Sequence, residues 1–307
     1  LVIPEGDFVL DAPIVINKHN VTFKGLNPGM RSNIDVNGIN ELLGPGGGSK
    51  LVARNAEAAI KVETGMKGVK IMNLMVSGGT EAKNIGIHFV GATDNGMLSN
   101  IIGINLHTGV KIEQAKNMQI VNCWVCELPN SIELIGGENI LVKNCQLGAQ
   151  PTGITCKVQE VNKLSFINNQ VYPDGRENLV LDACNNCVIE GNNFKSYYNG
   201  ILVLNGNDNT VNKNIFWLTG AVQNQLLDHG DDFGIINVKG NNNMVTSNSL
   251  SCEWAYAGAV TVNAVQGTGN VFKNCFVDNL ESYRVFLVNA QTEVSNCVSS
   301  DKVSIVE

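Results

Sequence analysis

Between residues 130 and 147 the chain reads NSIELIGGENILVKNCQL, and in it Ile132 and Leu134 alternate with Glu133. A two-residue period puts the apolar pair on one face of a strand and the glutamate on the other. Segments of the same design recur along the chain: IGIHFV, TGVKIE, NSIELI, TGITCK, ENLVLD, NGILVL and FGIINV. With Val110 and Ile112, Ile132 and Leu134, Ile154 and Cys156, and Leu179 and Leu181 facing inward, the outward residues form two columns. One is His88, Lys111, Glu133, Thr155 and Val180; the other is Val90, Glu113, Ile135, Lys157 and Asp182. Stacked strands lie about 4.8 Å apart. Glu133 would then have Lys111 one strand away, Glu113 diagonal to it and Asp182 two strands away. Carboxyl groups at such separations can cleave or transfer a glycosidic bond, one giving a proton to the departing oxygen and the other assisting attack. A solvated sheet face with interleaved charges, which any long sheet carries, is the competing account.

Longer connections add to the polar patch. WLTGAVQNQLLDHGDDFG carries Trp217, Asp228, His229, Asp231 and Asp232, and SCEWAYAG carries Trp254 and Tyr256. GMRSNIDVNGINELLGPGGG is a third such stretch. Aromatic rings beside carboxylates suit stacking on and hydrogen bonding to a sugar, although such rings equally often pack their own loop. YPDGRE and YYNG supply Asp174, Arg176 and Tyr198 at the edges of the repeat. Lys111, Glu113, Lys157, Arg176, Asp231, Asp232, Trp217 and Tyr198 are the candidates for holding a substrate.

The elements that position these groups follow from an internal repeat. IMNLMV, LSNIIG, IVNCWV, VKNCQL, FINNQV, IEGNNF, VNKNIF, VTSNSL, FKNCFV and VSNCVS recur at a base step of 22 to 24 residues with occasional longer steps. The alternating segments form a second ladder half a step away. Two ladders in phase, without 3.6-residue periodicity or regularly spaced leucines, predict an all-β chain: a right-handed single-stranded parallel β-helix of about ten coils with loop insertions. Residues 1–307 are expected to form this one domain, with further sequence upstream, since the chain enters on a strand-like pattern without a starting Met.

In that architecture equivalent residues stack, so asparagines at a turn can hydrogen-bond along the ladder and a small cysteine fits the crowded corner. Cys123, Cys145, Cys275 and Cys297 share one slot, which Asn169, Asn192, Asn214 and Asn248 take in other coils. Packing thiols are the expectation, although stacking also leaves the pairs Cys123–Cys145 and Cys275–Cys297 within disulfide reach. The cysteines show no zinc-type pairing and the four histidines are scattered, so no metal site is expected. A net charge of -7 without a basic run argues against nucleic acid. No apolar run approaches a membrane span. Secreted and cytoplasmic locations both fit the sequence.

An ordered series of segments carries a family resemblance: VIPEGDFVLDAPIVI at the start, CELPNSIELIGG, LVLDACNNCVIEGNNF, YYNGILVLNG and DDFGIINVKGNNNMVTSN. It resembles the β-helical inulin fructotransferases and difructose-anhydride hydrolases over most of the chain. The resemblance implies a cofactor-free, fructan-active enzyme, a homotrimer with active sites between subunits. Its substrate would be a fructan oligosaccharide or a difructose dianhydride, cyclised from inulin in one branch and hydrolysed to inulobiose in the other. It implies Glu133 as proton donor. The family pairs an Asp with a Glu, whereas here Asn122 stands upstream, in a turn slot that the spacing turns inward; Glu127 and Asp182 are the candidates to complete the pair. Apolar outward residues Val180, Leu202 and Leu204 add to the expectation of a partner surface.

Pectin-acting β-helices are a weaker match: their Asn-Thr-Asp, Gly-His-Gly and Arg-Ile-Lys signatures and a calcium-binding Asp group are not found. An adhesive or carbohydrate-binding β-helix without catalysis is the alternative from another class.

Overall fold

The computed structural model describes residues 1–29, 47–78, 83–219, 232–252, 260–278, 285–297 and the backbone of 303–306. Thirty strands join one parallel system. Each coil contributes to three sheets, so the chain is the parallel β-helix that the two ladders predict. In the middle of the molecule the first and second sheets share long strands, Thr108–Val121, Asn130–Lys143 and Ile154–Ile167. The first sheet continues through Glu177–Asp182 and Leu202–Asn205, the second through Val188–Glu190 and Thr210–Asn212. The third runs Trp124–Leu128, Gln146–Ala149, Gln170–Val171, Asn193–Ser196 and Ile215–Leu218.

The repeat read from the sequence is the corner between the second and third sheets. Asn73, Asn100, Asn122, Asn144, Asn168, Gly191, Lys213, Ser247, Asn274 and Asn296 all have φ between 52° and 67°, the left-handed region. Asparagine and glycine adopt that conformation at the least steric cost, which is why they dominate the slot. Asn122 is exposed there, not inward as the spacing suggested. The next residue turns into the core. Asn169 Nδ2 donates to Asn192 Oδ1 at 3.1 Å, Asn192 to Asn214 at 2.9 Å and Asn214 to Asn248 at 3.0 Å. A second buried amide ladder, Asn209–Asn243–Asn270, lines the corner between the first and second sheets. Beside the first ladder Phe166, Phe194 and Phe216 stack, with centroids 6.0 and 5.0 Å apart. All nine cysteines are buried and none forms a disulfide.

Register and burial correct four of the expected positions. Ile132 pairs with Cys156 and Glu133 with Lys157, two residues along from the expected match. The turn closed by Gly153 N donating to Gln150 O lengthens that coil before it re-enters the first sheet. Lys157 therefore stands beside Glu133, and Thr155 is fully buried. Leu202 and Leu204 are core residues; Val203, paired with Val180, faces outward. The outward apolar surface is smaller than the sequence suggested.

Asn192 donates to Phe166 O and Asn214 Oδ1 and accepts from the main-chain and side-chain nitrogens of Asn169. Asn192→Ala orphans buried partners on both neighbouring coils, each costing about 1–3 kcal/mol. Urea unfolding should show a loss of about 3 kcal/mol or more, and a loss under about 0.5 kcal/mol would contradict the ladder's role.

Candidate active site

Glu133 faces out from the first sheet between Lys111 and Lys157, each one coil away in register. Its Oε1 lies 3.8 Å from Lys157 Nζ, with the side chains 18% and 37% exposed. Lys111 is held by Glu113 on its own strand, at 2.9 Å. That hydrogen bond holds the Glu113 carboxyl below its ordinary range. His88 Nε2 is 3.6 Å from Glu113, and burial lowers its affinity for a proton. Asp182, two coils from Glu133 in the neighbouring column, accepts a 2.7 Å hydrogen bond from Asn205. Glu133 and Asp182 are thus engaged separately.

Glu127 belongs to the corner between the third and first sheets. The chain takes a left-handed turn there, with φ 62°, as the strand Trp124–Leu128 ends. Two coils further on, the same corner presents Asp174, in the connection between Gln170–Val171 and Glu177–Asp182. The two backbones are separated by two interstrand steps, about 10 Å. Although Glu127 protrudes, burial by its surroundings raises its pKa and the Asp174 charge raises it further. Burial likewise raises Asp174. The next coil adds Tyr197, whose pKa burial and then Asp174 raise. Behind them Tyr172 donates to Gln146 Oε1 at 3.0 Å and packs against the cluster that holds Trp124.

This corner therefore joins a candidate catalytic residue, Glu127, to a second carboxyl group that the sequence marked only as a polar edge. The available signal was the repeat itself: extending its register through YPDGRE puts Asp174 on the Glu127 corner. Arg176 is partly buried in the same connection. Tyr198, expected to hold substrate, is only 8% exposed. Trp217, expected in an insertion, lies on the strand Ile215–Leu218 with Lys195 Nζ 4.4 Å from its ring centroid. Asp232 is exposed, and its carbonyl accepts from Asn263 at 2.6 Å. Asp228, His229, Asp231, Trp254, Tyr256 and residues 30–46 lie outside the described residues. Among the described residues no cluster of three His, Cys, Asp or Glu side chains could hold a metal, and no helix is long and apolar enough to cross a membrane.

The direction of the Glu127 and Asp174 shifts fixes a pH effect. Both hold protons more tightly folded than unfolded, so their ionisation weakens the fold as pH rises from the unfolded pKa values through the raised folded ones. Glu127→Gln should therefore unfold at higher denaturant than the parent at pH 8, with the difference shrinking towards pH 4. An equal difference at both pH values, or a loss at pH 8, would show that the carboxyl groups are not coupled to folding in this way.

Comparison with known proteins agrees with this architecture. No curated protein matches the chain. DFA-IIIase from Arthrobacter chlorophenolicus A6 without its lid superposes with a TM-score of 0.83 at 20% identity, over 100% of this chain and 85% of that one. A mutant of the same enzyme in complex with DFA-III gives 0.83 at 18% identity, over 100% and 86%. The Dettilon tailspike protein gp208 gives 0.57 at 14% identity, over 98% and 62%. At these identities the likeness is one of fold. The family profile described as right handed beta helix region matches residues 152–305, half of the chain, and the protein belongs to that right-handed β-helix family.

Proposed function

We propose that the protein is a fructan-active enzyme whose reacting carboxyl groups are Glu127 and Asp174. The observation that carries the substrate class is the full-length likeness in fold to DFA-IIIase, at a TM-score of 0.83. In this reading Glu127, its pKa raised by burial and by Asp174, gives a proton to the departing anomeric oxygen. Asp174, ionised, assists attack at the anomeric carbon. When the attacking group is a hydroxyl of the substrate itself, a terminal difructose unit leaves inulin as a cyclic dianhydride. When it is water, the dianhydride opens to inulobiose. Exclusion of water at the site decides between the two, and cyclisation is the reading adopted, with dianhydride hydrolysis as its alternative.

Glu133 faces Lys157 at 3.8 Å, and in this reading it binds substrate hydroxyls with Lys111, Glu113 and Lys157 while Glu127 takes the donor's place. Asp182, fixed by Asn205, keeps a supporting place on the same face. A closed heterologous ring of three subunits would set one surface of each chain against a different surface of the next. In such a homotrimer the first-sheet patch of one subunit meets the Glu127 corner of its neighbour, completing an intersubunit site. A likeness in fold to a tailspike protein, at a TM-score of 0.57, keeps a second reading in view, an adhesive or carbohydrate-binding β-helix.

Incubation with inulin and, separately, with difructose dianhydride III, with products read by chromatography, tests the proposal. Dianhydride from inulin, or inulobiose from the dianhydride, is the expected result. Glu127→Gln should cut turnover by about 100-fold or more, while Glu133→Gln acts mainly on KM. Turnover that survives in Glu127→Gln would remove that residue as the donor; silence of the parent on both substrates would remove the fructan reading.

A further inference from the structure

The outer face of the third sheet carries an array of side chains that the chemistry above does not use. In one outward column Trp124 is followed in register by Gln146, Gln170 and Asn193. In the neighbouring column Tyr172 precedes Lys195, which pairs with Trp217. The amides are held in place: Asn193 Nδ2 donates to Gln170 Oε1 at 3.3 Å, and Tyr172 donates to Gln146 Oε1 at 3.0 Å. Gln146, Gln170, Asn193, Tyr172 and Trp217 are all partly exposed.

The chemistry of this ledge selects its occupant. With their oxygens turned to Tyr172 and Asn193, the Gln146 and Gln170 amides present uncharged N–H donors, which match the oxygens of a sugar. Tyrosine and tryptophan rings add apolar faces for stacking. From Gln146 to Trp217 the one ionic side chain of the two columns is Lys195, and its ammonium lies over the Trp217 ring. No row of like charges is present to hold a charged polymer. An added protein strand is also disfavoured, because neighbouring coils already pair the main chain of these strands. The three interstrand steps from Gln146 to Trp217 span about 14 Å, enough for about three sugar units. The ledge begins beside the catalytic corner, since Trp124 shares a strand with Glu127 and Tyr172 lies two residues before Asp174.

We propose that this ledge binds the non-reacting units of a neutral linear oligosaccharide, so that affinity rises with chain length. As a site on a fructan enzyme it rests on the reading above; as a glycan site it stands on the side chains alone. Remote units held in this way supply binding energy that a cyclic disaccharide cannot reach.

Isothermal titration of the full chain with inulin-type oligosaccharides of two to five units tests it, together with a panel of neutral oligosaccharides of other linkages. The parent should bind longer chains more tightly. Trp217→Ala should weaken binding of the longest chain about 10-fold, the scale of one lost aromatic contact, and that of the disaccharide far less. Gln170→Ala should act in the same direction. Trp217→Phe, which keeps a ring, should restore most of the length dependence, and circular dichroism of each variant checks the fold. Affinity independent of length, an equal loss at every length, or no binding to any neutral oligosaccharide would overturn the ledge. Trp217-dependent binding confined to another linkage would uphold the ledge and remove the fructan assignment. Fructan turnover with binding unaffected by Trp217→Ala would do the reverse.

Discussion

Main-chain hydrogen bonding between successive coils is the constraint on which the rest of this structure depends. Each strand pairs in parallel with its equivalent one coil away, so residues remote in sequence become neighbours at a fixed spacing of about 4.8 Å. The left-handed corner repeated from Asn73 to Asn296 lets the chain re-enter the next sheet at the same level. The buried amide ladders then satisfy polar groups that would otherwise be stranded in the core. Side-chain chemistry is laid on this frame and inherits its spacing.

The same frame gives two carboxylates of the chain unlike surroundings. Glu133 is flanked along its column by lysines and ion-paired to Lys157. Glu127 stands in a corner whose stacked partners include Asp174 and Tyr197, so burial and a like charge act on it together. Neither environment is local in origin: each is assembled from residues roughly one or two coils apart. A rigid ladder suits this use because its neighbours need no rearrangement to keep two like charges near one another.

How much of this was legible in the sequence differs by element. The repeated corner was legible because the chain places asparagine there coil after coil; that the reason is a left-handed backbone came from the structure. The alternation that buries Ile132 and Leu134 was legible for the same reason, a strict period with a physical cause. Register beyond Ile132 was not, because the longer turn at residues 150–153 shifts the next strand by two without disturbing its own alternation. Leu202 and Leu204 were misplaced outward because a one-residue choice of face exchanges core for surface. Trp217, the first residue of the stretch that spacing marked as an insertion, instead lies on a strand. The Glu127–Asp174 pair has no local signature at all, since only stacking across two coils unites its members.

The most direct measurement is a carbon-detected NMR titration of the Glu127 side-chain carboxyl in the parent and in Asp174→Asn. A midpoint above the ordinary glutamate value of 4.5 in the parent is predicted. In Asp174→Asn it should move down while staying above that value, because burial persists when the neighbouring charge is gone. A parent midpoint at or below 4.5, or one that Asp174→Asn leaves unchanged, would contradict the claim that the stacked corner couples these two carboxyl groups.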